Sequence, residues 1–204
     1  MFRELNLSLR RLFREFAPEG SLLRGDGRGI QVAFEIPDKE WADKLSALTL
    51  NCYLYDIRED LDRSPAEPAV SGARAFIECA YRITAWSPAL GDPEEPGVFY
   101  EHQLLSEALA LLLEHRTLPE VLLSESLSRW GRPYARLAPG EGGRGSPAEF
   151  WSSLGLPQRP ALELVVAVAF GAAKPRAPSA KKIALRSGVA RAAAESTEVP
   201  QVDP

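Results

Sequence analysis

Between residues 2 and 16 the apolar side chains Phe2, Leu5, Leu9, Leu12, Phe13 and Phe16 recur at helical spacing, with Arg and Glu between them. That spacing predicts an amphipathic helix with a narrow buried stripe, stopped by Pro18 and Gly20. Gly25, Gly27 and Gly29 mark a turn. The period then falls to two. Ile30, Val32, Phe34 and Ile36 alternate with Gln31, Ala33 and Glu35, which predicts a half-buried strand ended by Pro37. Asp38 suits the cap of a short helix, KEWADKLSA, that buries Trp41 and Leu45 at i and i+4. In TLNCYLYDIRED, residues 49–60, apolar side chains fall on both faces, as they do in a strand central to a sheet. Residues 62–73 carry Pro, Ser and Gly and read as a loop.

The clearest strand covers residues 74–86, where Ala75, Ile77, Cys79, Tyr81, Ile83 and Ala85 take every second position. A Pro- and Gly-rich loop follows, then a helix from Phe99 to His115 with a wide apolar face. Residues 117–137 read as two short extended pieces, around 119–123 and 128–137. After a glycine-rich loop, Ser146, Pro147 and Glu149 have the order of a capping-box helix, ended by Gly155. Last, ALELVVAVAF sets Leu162, Leu164, Val166, Val168 and Phe170 on one face, with smaller residues and Glu163 on the other. A strand of that kind is covered closely on its small side.

Long strands with interspersed helices predict a single α+β domain, a mostly antiparallel sheet with helices packed on it. The pattern stops after Phe170. Residues 172–204 are rich in Ala, Lys, Arg, Pro and Ser, too poor in apolar bulk to repay the entropy of ordering, and read as a disordered tail with weak helical character. The division expected is therefore a domain over 1–171 and a tail over 172–204. Six basic residues against three acidic ones put the tail at +3, and with a whole-chain charge of −4 the body carries −7. An acidic body points away from a nucleic-acid-binding core, and a tail without interleaved aromatics supports no specific nucleic-acid contact. The N-terminal segment is charged throughout, unlike a secretory leader, and no apolar run approaches the roughly 18 residues of a membrane span. Cys52 and Cys79 both fall inside strand patterns and read as buried thiols, which suits a reducing cytoplasm.

Candidate chemistry is sparse. Asp56, Arg58, Glu59 and Asp60 form a burst of charge at the end of a strand. Paired carboxylates for acid–base work need two different environments in a cleft, whereas here the acids alternate with Arg58 and Arg63, so a solvated strand end is the plainer reading. Glu101, His102 and Ser106 lie close on one helix, but a nucleophilic serine needs a strained elbow, and the second histidine of a helical zinc motif is missing. The glycine runs lack the order of phosphate-cradling loops. No catalytic residue, cofactor or metal ligand is expected. Trp41, Trp86, Trp130 and Trp151 are scattered and read as core or interface anchors.

Several stretches in order carry a resemblance: SLRRLF, EWADKLSALTLNCYLYDIRED, CAYRITAW, EHQLLSEALALLL, WSSLG and RPALELVVAVAF. Together, over about residues 1–171, they resemble the N-terminal domain family of the tail cap, or tail terminator, of extracellular contractile injection systems, which are phage-tail-like particles. The resemblance implies a structural role: a hexameric ring that closes the tube and sheath and ends polymerisation, assembled in the cytoplasm, with partners in itself and in the sheath and inner-tube proteins. A ring of this kind needs no catalytic residue and no membrane. It makes Asp56, Arg58, Glu59, Asp60 and Trp86 candidate subunit or sheath contacts, and gives Lys181 and Lys182 of the tail an acidic neighbour to dock on. It further suggests that strand 74–86 or 161–170 offers a free sheet edge to a neighbour's arm. The alternatives are a tail-completion protein that joins a tail to another particle component, told apart by a head-side partner, and a small enzyme around Glu101 and His102.

If the basic tail docks on the particle, a chain truncated at Ala172 should assemble poorly. Particles of unchanged number and shape by electron microscopy would remove that role.

Overall fold

In the computed structural model the described residues are 1–24, 29–64, 73–88, 96–129, 131–138 and 146–171. Most of the glycine turn at 25–29, parts of the loops at 62–73 and 87–97, Trp130, most of the loop before Ser146 and the tail from 172 onward lie outside them.

The amphipathic N-terminal segment forms helix α1 (Phe2–Glu15), which buries Leu5, Ser8, Leu9, Leu12 and Phe13. The five strands are β1 (Gln31–Ala33), β2 (Thr49–Glu59), β3 (Ala73–Trp86), β4 (Tyr134–Leu137) and β5 (Leu162–Gly171). They make one sheet in the order β1-β2-β3-β5-β4, with β1 parallel to β2 and the other pairs antiparallel. The remaining helices are α2 (Lys39–Asp43), α3 (Gly97–Glu114), α4 (Glu125–Ser128) and α5 (Pro147–Ser153).

Strand register explains the core. The alternating residues Ile83, Tyr81 and Cys79 of β3 pair with Cys52, Leu54 and Ile57 of β2 and with Leu162, Leu164 and Val166 of β5. Side chains opposite one another share a face, so the apolar rows of three strands coincide. Onto this first face pack α1 and α3, whose Leu9, Phe13, Leu104, Ala108 and Leu111 join the same buried cluster. Tyr81, buried among them, satisfies its hydroxyl by donating to Asn6 Oδ1 at 2.8 Å.

Some expected elements change shape. The strand foreseen over 30–36 ends at Ala33, because Asn51 of β2 turns its side chain along the ladder. Its Oδ1 accepts from Glu35 N at 3.2 Å and its Nδ2 donates to Glu35 O at 2.9 Å, an amide standing in for the next backbone pair. Asp38 caps α2 by accepting from Trp41 N at 2.8 Å, but the helix closes before Leu45, so Trp41 and Leu45 do not share it. Only the end of 117–137 is strand: Glu120–Leu122 is a 3-10 turn, and residues 125–128 are α4. Pro119 and Ser124 start those turns, and Leu118, Leu122 and Leu127 sink into the core. Ser146 does cap α5, without the expected side-chain bond. The helices also occupy both faces of the sheet, α5 lying on the second. Strands β3 and β5, expected to offer an edge, are interior strands flanked on both sides.

Neither cysteine forms a disulfide, and both are buried. Burial pushes the Cys52 thiol far above its ordinary pKa, against a smaller opposing pull from Arg10. Since the thiolate is the nucleophile, native protein at pH 8 should resist iodoacetamide while urea-unfolded protein labels at both cysteines, read by mass spectrometry. Because the folded pKa lies above the unfolded one, stability should fall as pH rises past about 8.5, where only the unfolded chain gives up the proton. Rapid labelling of the folded chain at Cys52 would contradict this burial.

Candidate assembly surface

The second face of the sheet carries the polar residues of the same strands. Arg82 of β3 and Glu163 of β5 sit opposite one another and form an ion pair at 2.5 Å, with side chains 5% and 13% exposed. A β-bulge between Leu54 and Asp56 leaves Tyr55 as the extra residue, and its hydroxyl donates to Glu163 Oε2 at 2.8 Å. Phe150 of α5 lies 4.0 Å below the Arg82 guanidinium and against the rings of Tyr53 and Tyr55. Among the described residues the Arg82 Nη1 has no hydrogen-bond acceptor, and the Phe150 ring lies against its guanidinium instead.

Beside this cluster, Glu101 at the start of α3 is buried. Its carboxylate accepts from Ser87 N at 2.8 Å, from Ser87 Oγ at 2.7 Å and from Arg159 at 2.6 Å. Ser87 comes this close because α3 begins with glycine: a Cβ on Gly97 would stand 2.5 Å from Ser87 Oγ. Arg159 also lies 4.1 Å from the Trp86 ring, which packs on Trp41 and Trp151.

The predicted contact residues separate in this setting. Asp56 is half-buried at the bulge and pairs with Arg58 at 2.7 Å. Arg58 stands opposite Glu78, which pairs with Arg136 at 3.0 Å, so the charges on this strand end compensate one another in a row across the sheet. Asp60 turns back. Its Oδ1 accepts from Arg63 N at 3.2 Å, while its own N donates to Phe76 O at 2.8 Å. Glu59 and Arg58 are exposed. Trp86 is 3% exposed and spends its ring inside the domain, so it is an internal spacer in this chain. Lys181 and Lys182 lie outside the described residues. Glu101 and His102 point apart, the first buried and the second exposed, and Ser106 Oγ donates to the His102 carbonyl at 2.8 Å, away from its ring.

Three exposed apolar residues join the charged strand end: Ile57 (46%), Leu61 (77%) and Phe170 (49%). Ile57 and Phe170 belong to the first face, beyond the reach of the helices, and half-buried Ile77 lies in the row between them. Sequence periodicity assigns Ile57, Ile77 and Phe170 to apolar strand rows; only the length of the covering helix layer reveals that the strands outrun it. Among the described residues no cluster of His, Cys, Asp and Glu could hold a metal, and no helix is long and apolar enough to cross a membrane.

The chain belongs to the Pvc16 N-terminal domain family, whose model matches residues 4–183. Its fold is similar to the sheath/tube terminator of an extracellular contractile injection system, PVC, in the extended state, with a TM-score of 0.58 and 21% identity, covering 100% of this chain and 64% of that one. It is also similar to the tube-terminating cap of the anti-feeding prophage, with a TM-score of 0.54 and 21% identity over 97% of this chain and 60% of the other. The chain thus spans less than two-thirds of the length of either protein. No curated protein matches it significantly.

Removing one partner of a buried pair strands a charge, whereas a surface pair is worth little. Glu163→Ala should therefore lower unfolding stability by roughly 3–5 kcal/mol, and Arg58→Ala by at most about 1 kcal/mol. Urea denaturation of both variants checks the contrast, and equal losses would refute the division drawn between cluster and surface.

Proposed function

We propose that this chain is a structural cap that closes the end of the tube and sheath of a contractile injection particle and stops further polymerisation. The observation that carries this reading is the membership of residues 4–183 in the Pvc16 N-terminal domain family. The likeness of the fold to two solved caps supports it. The cap acts as a ring of identical subunits, six by the symmetry of such particles, assembled in the cytoplasm before it joins the particle. Its neighbours are other copies of itself and the sheath and tube subunits, and its work is contact, not turnover.

A ring must match the open end of a polymer on one face and refuse further growth on the other. The outrunning end of β2, β3 and β5 suits a subunit contact, since Ile57, Leu61 and Phe170 give an apolar centre and Arg58 and Glu59 a charged rim. Particles made without this chain should carry overlong, ragged or missing sheaths by negative-stain electron microscopy, and the intact chain should restore their length. Normal particles of normal length would remove the cap reading.

A further inference from the structure

The two helices on the first face of the sheet turn unlike sides to solvent. On α1 the exposed row is Arg3, Leu7, Arg10 and Arg14, whose steps of four, three and four residues keep the side chains on one face. Four arginines against two glutamates put α1 at +2, so the rest of residues 1–171, at −7 in all, carries −9. Arg11 is paired with Glu15 at 2.9 Å, whereas Arg3 reaches Glu4 only at 3.5 Å, with its side chain 80% exposed. Among the described residues no ion pair engages Arg10 or Arg14, and the Arg10 guanidinium lies 5.4 Å from the Phe34 ring.

Helix α3 is the reverse. Its 18 residues hold three glutamates and no lysine or arginine. Glu101 is buried against Arg159. Glu107 accepts from Leu23 N at 3.2 Å and from Gln103 Nε2 at 3.0 Å, and Glu114 is exposed. Among the described residues neither of these two has a cation beside it. The outward position between them is Ala110, and Phe99 and Leu113 are exposed on the same side. A helix that is apolar on its outward side as well as its inward side is normally covered.

The two rows match when one is read backwards. From Arg3 the steps are four to Leu7 and three to Arg10; from Glu114 they are four back to Ala110 and three back to Glu107. We propose that α1 of one copy of this chain packs antiparallel on α3 of another. Arg3 then stands opposite Glu114, Leu7 opposite Ala110 and Arg10 opposite Glu107, with the two charge pairs about 10 Å apart along the helices. Ala110 is small enough to receive Leu7. The occupant is a second copy because the complement of each row, in charge, size and spacing, lies on the chain itself. Leu7 leaves water at the centre of the contact, and the flanking charges set its register. The pairing needs only two copies and does not rest on the cap reading.

Analytical ultracentrifugation of the full chain tests this. At low salt the chain should sediment as an oligomer of its 22.4 kDa subunit. It should dissociate as salt is raised, because the paired charges lie at the surface. Arg3→Glu and Glu114→Arg each set like charges opposite one another, and each should weaken association about tenfold. An equimolar mixture of the two should recover it, since each variant supplies the charge that the other lacks. Circular dichroism checks folding. If a reversal does not fold, Leu7→Lys, at a position 39% exposed, reads the same contact and should dissociate the oligomer. A chain that stays monomeric at ~100 μM, an oligomer that the substitutions leave intact, or a mixture that does not recover overturns the proposal. Each of these outcomes leaves the cap reading standing.

Discussion

Arg82 and Glu163 must be buried together. Their strands, β3 and β5, are interior to the sheet, and α5 roofs the second face above them. Neither charge can be left alone in that setting, where Arg82 is 5% and Glu163 13% exposed. The neighbouring features serve the pair. The bulge in β2 frees Tyr55 to donate to Glu163, Phe150 stacks beneath Arg82, and Trp151 anchors the same helix at 2% exposure. The pair also ties residues 81 apart in sequence, so the second layer closes only when β5 is in register with β3. The Glu101 cluster repeats the arrangement at the strand end, where one carboxylate gathers β3, α3 and the segment before β5.

Much of the first face could be read from the chain. The odd-numbered row of β3 and the large-residue row of β5 name the surface that α1 and α3 bury, because a period of two leaves little choice of face. The short elements were less legible. Nothing in VAFEIPD announces that Asn51, sixteen residues on, will replace a ladder bond and end the strand after three residues. Residues 117–137 looked extended because prolines and β-formers are spread through them, yet three leucines reaching one core bend the chain into turns.

The candidate site was half legible. The burst at 56–60 marks the place where a buried strand meets water, as its composition suggested, but the row of alternating charge that Arg58 joins is completed by Glu78 and Arg136 from two other strands. Trp86 appeared to be an anchor available to a neighbour; in the fold its ring is used up by Trp41, Trp151 and Arg159. The exposure of Ile57 and Phe170 depends on how far a helix layer extends over a sheet, a property of the whole domain that no local period records.

The two internal clusters use charge in one way. Here the buried carboxylates are saturated by guanidinium, hydroxyl and amide donors, which rigidifies the domain. Exposed apolar side chains gather at one end of the sheet, where Ile57, Leu61 and Phe170 stand beside Arg58 and Glu59. Apolar side chains left at the end of a braced sheet gain most where a second surface removes them from water.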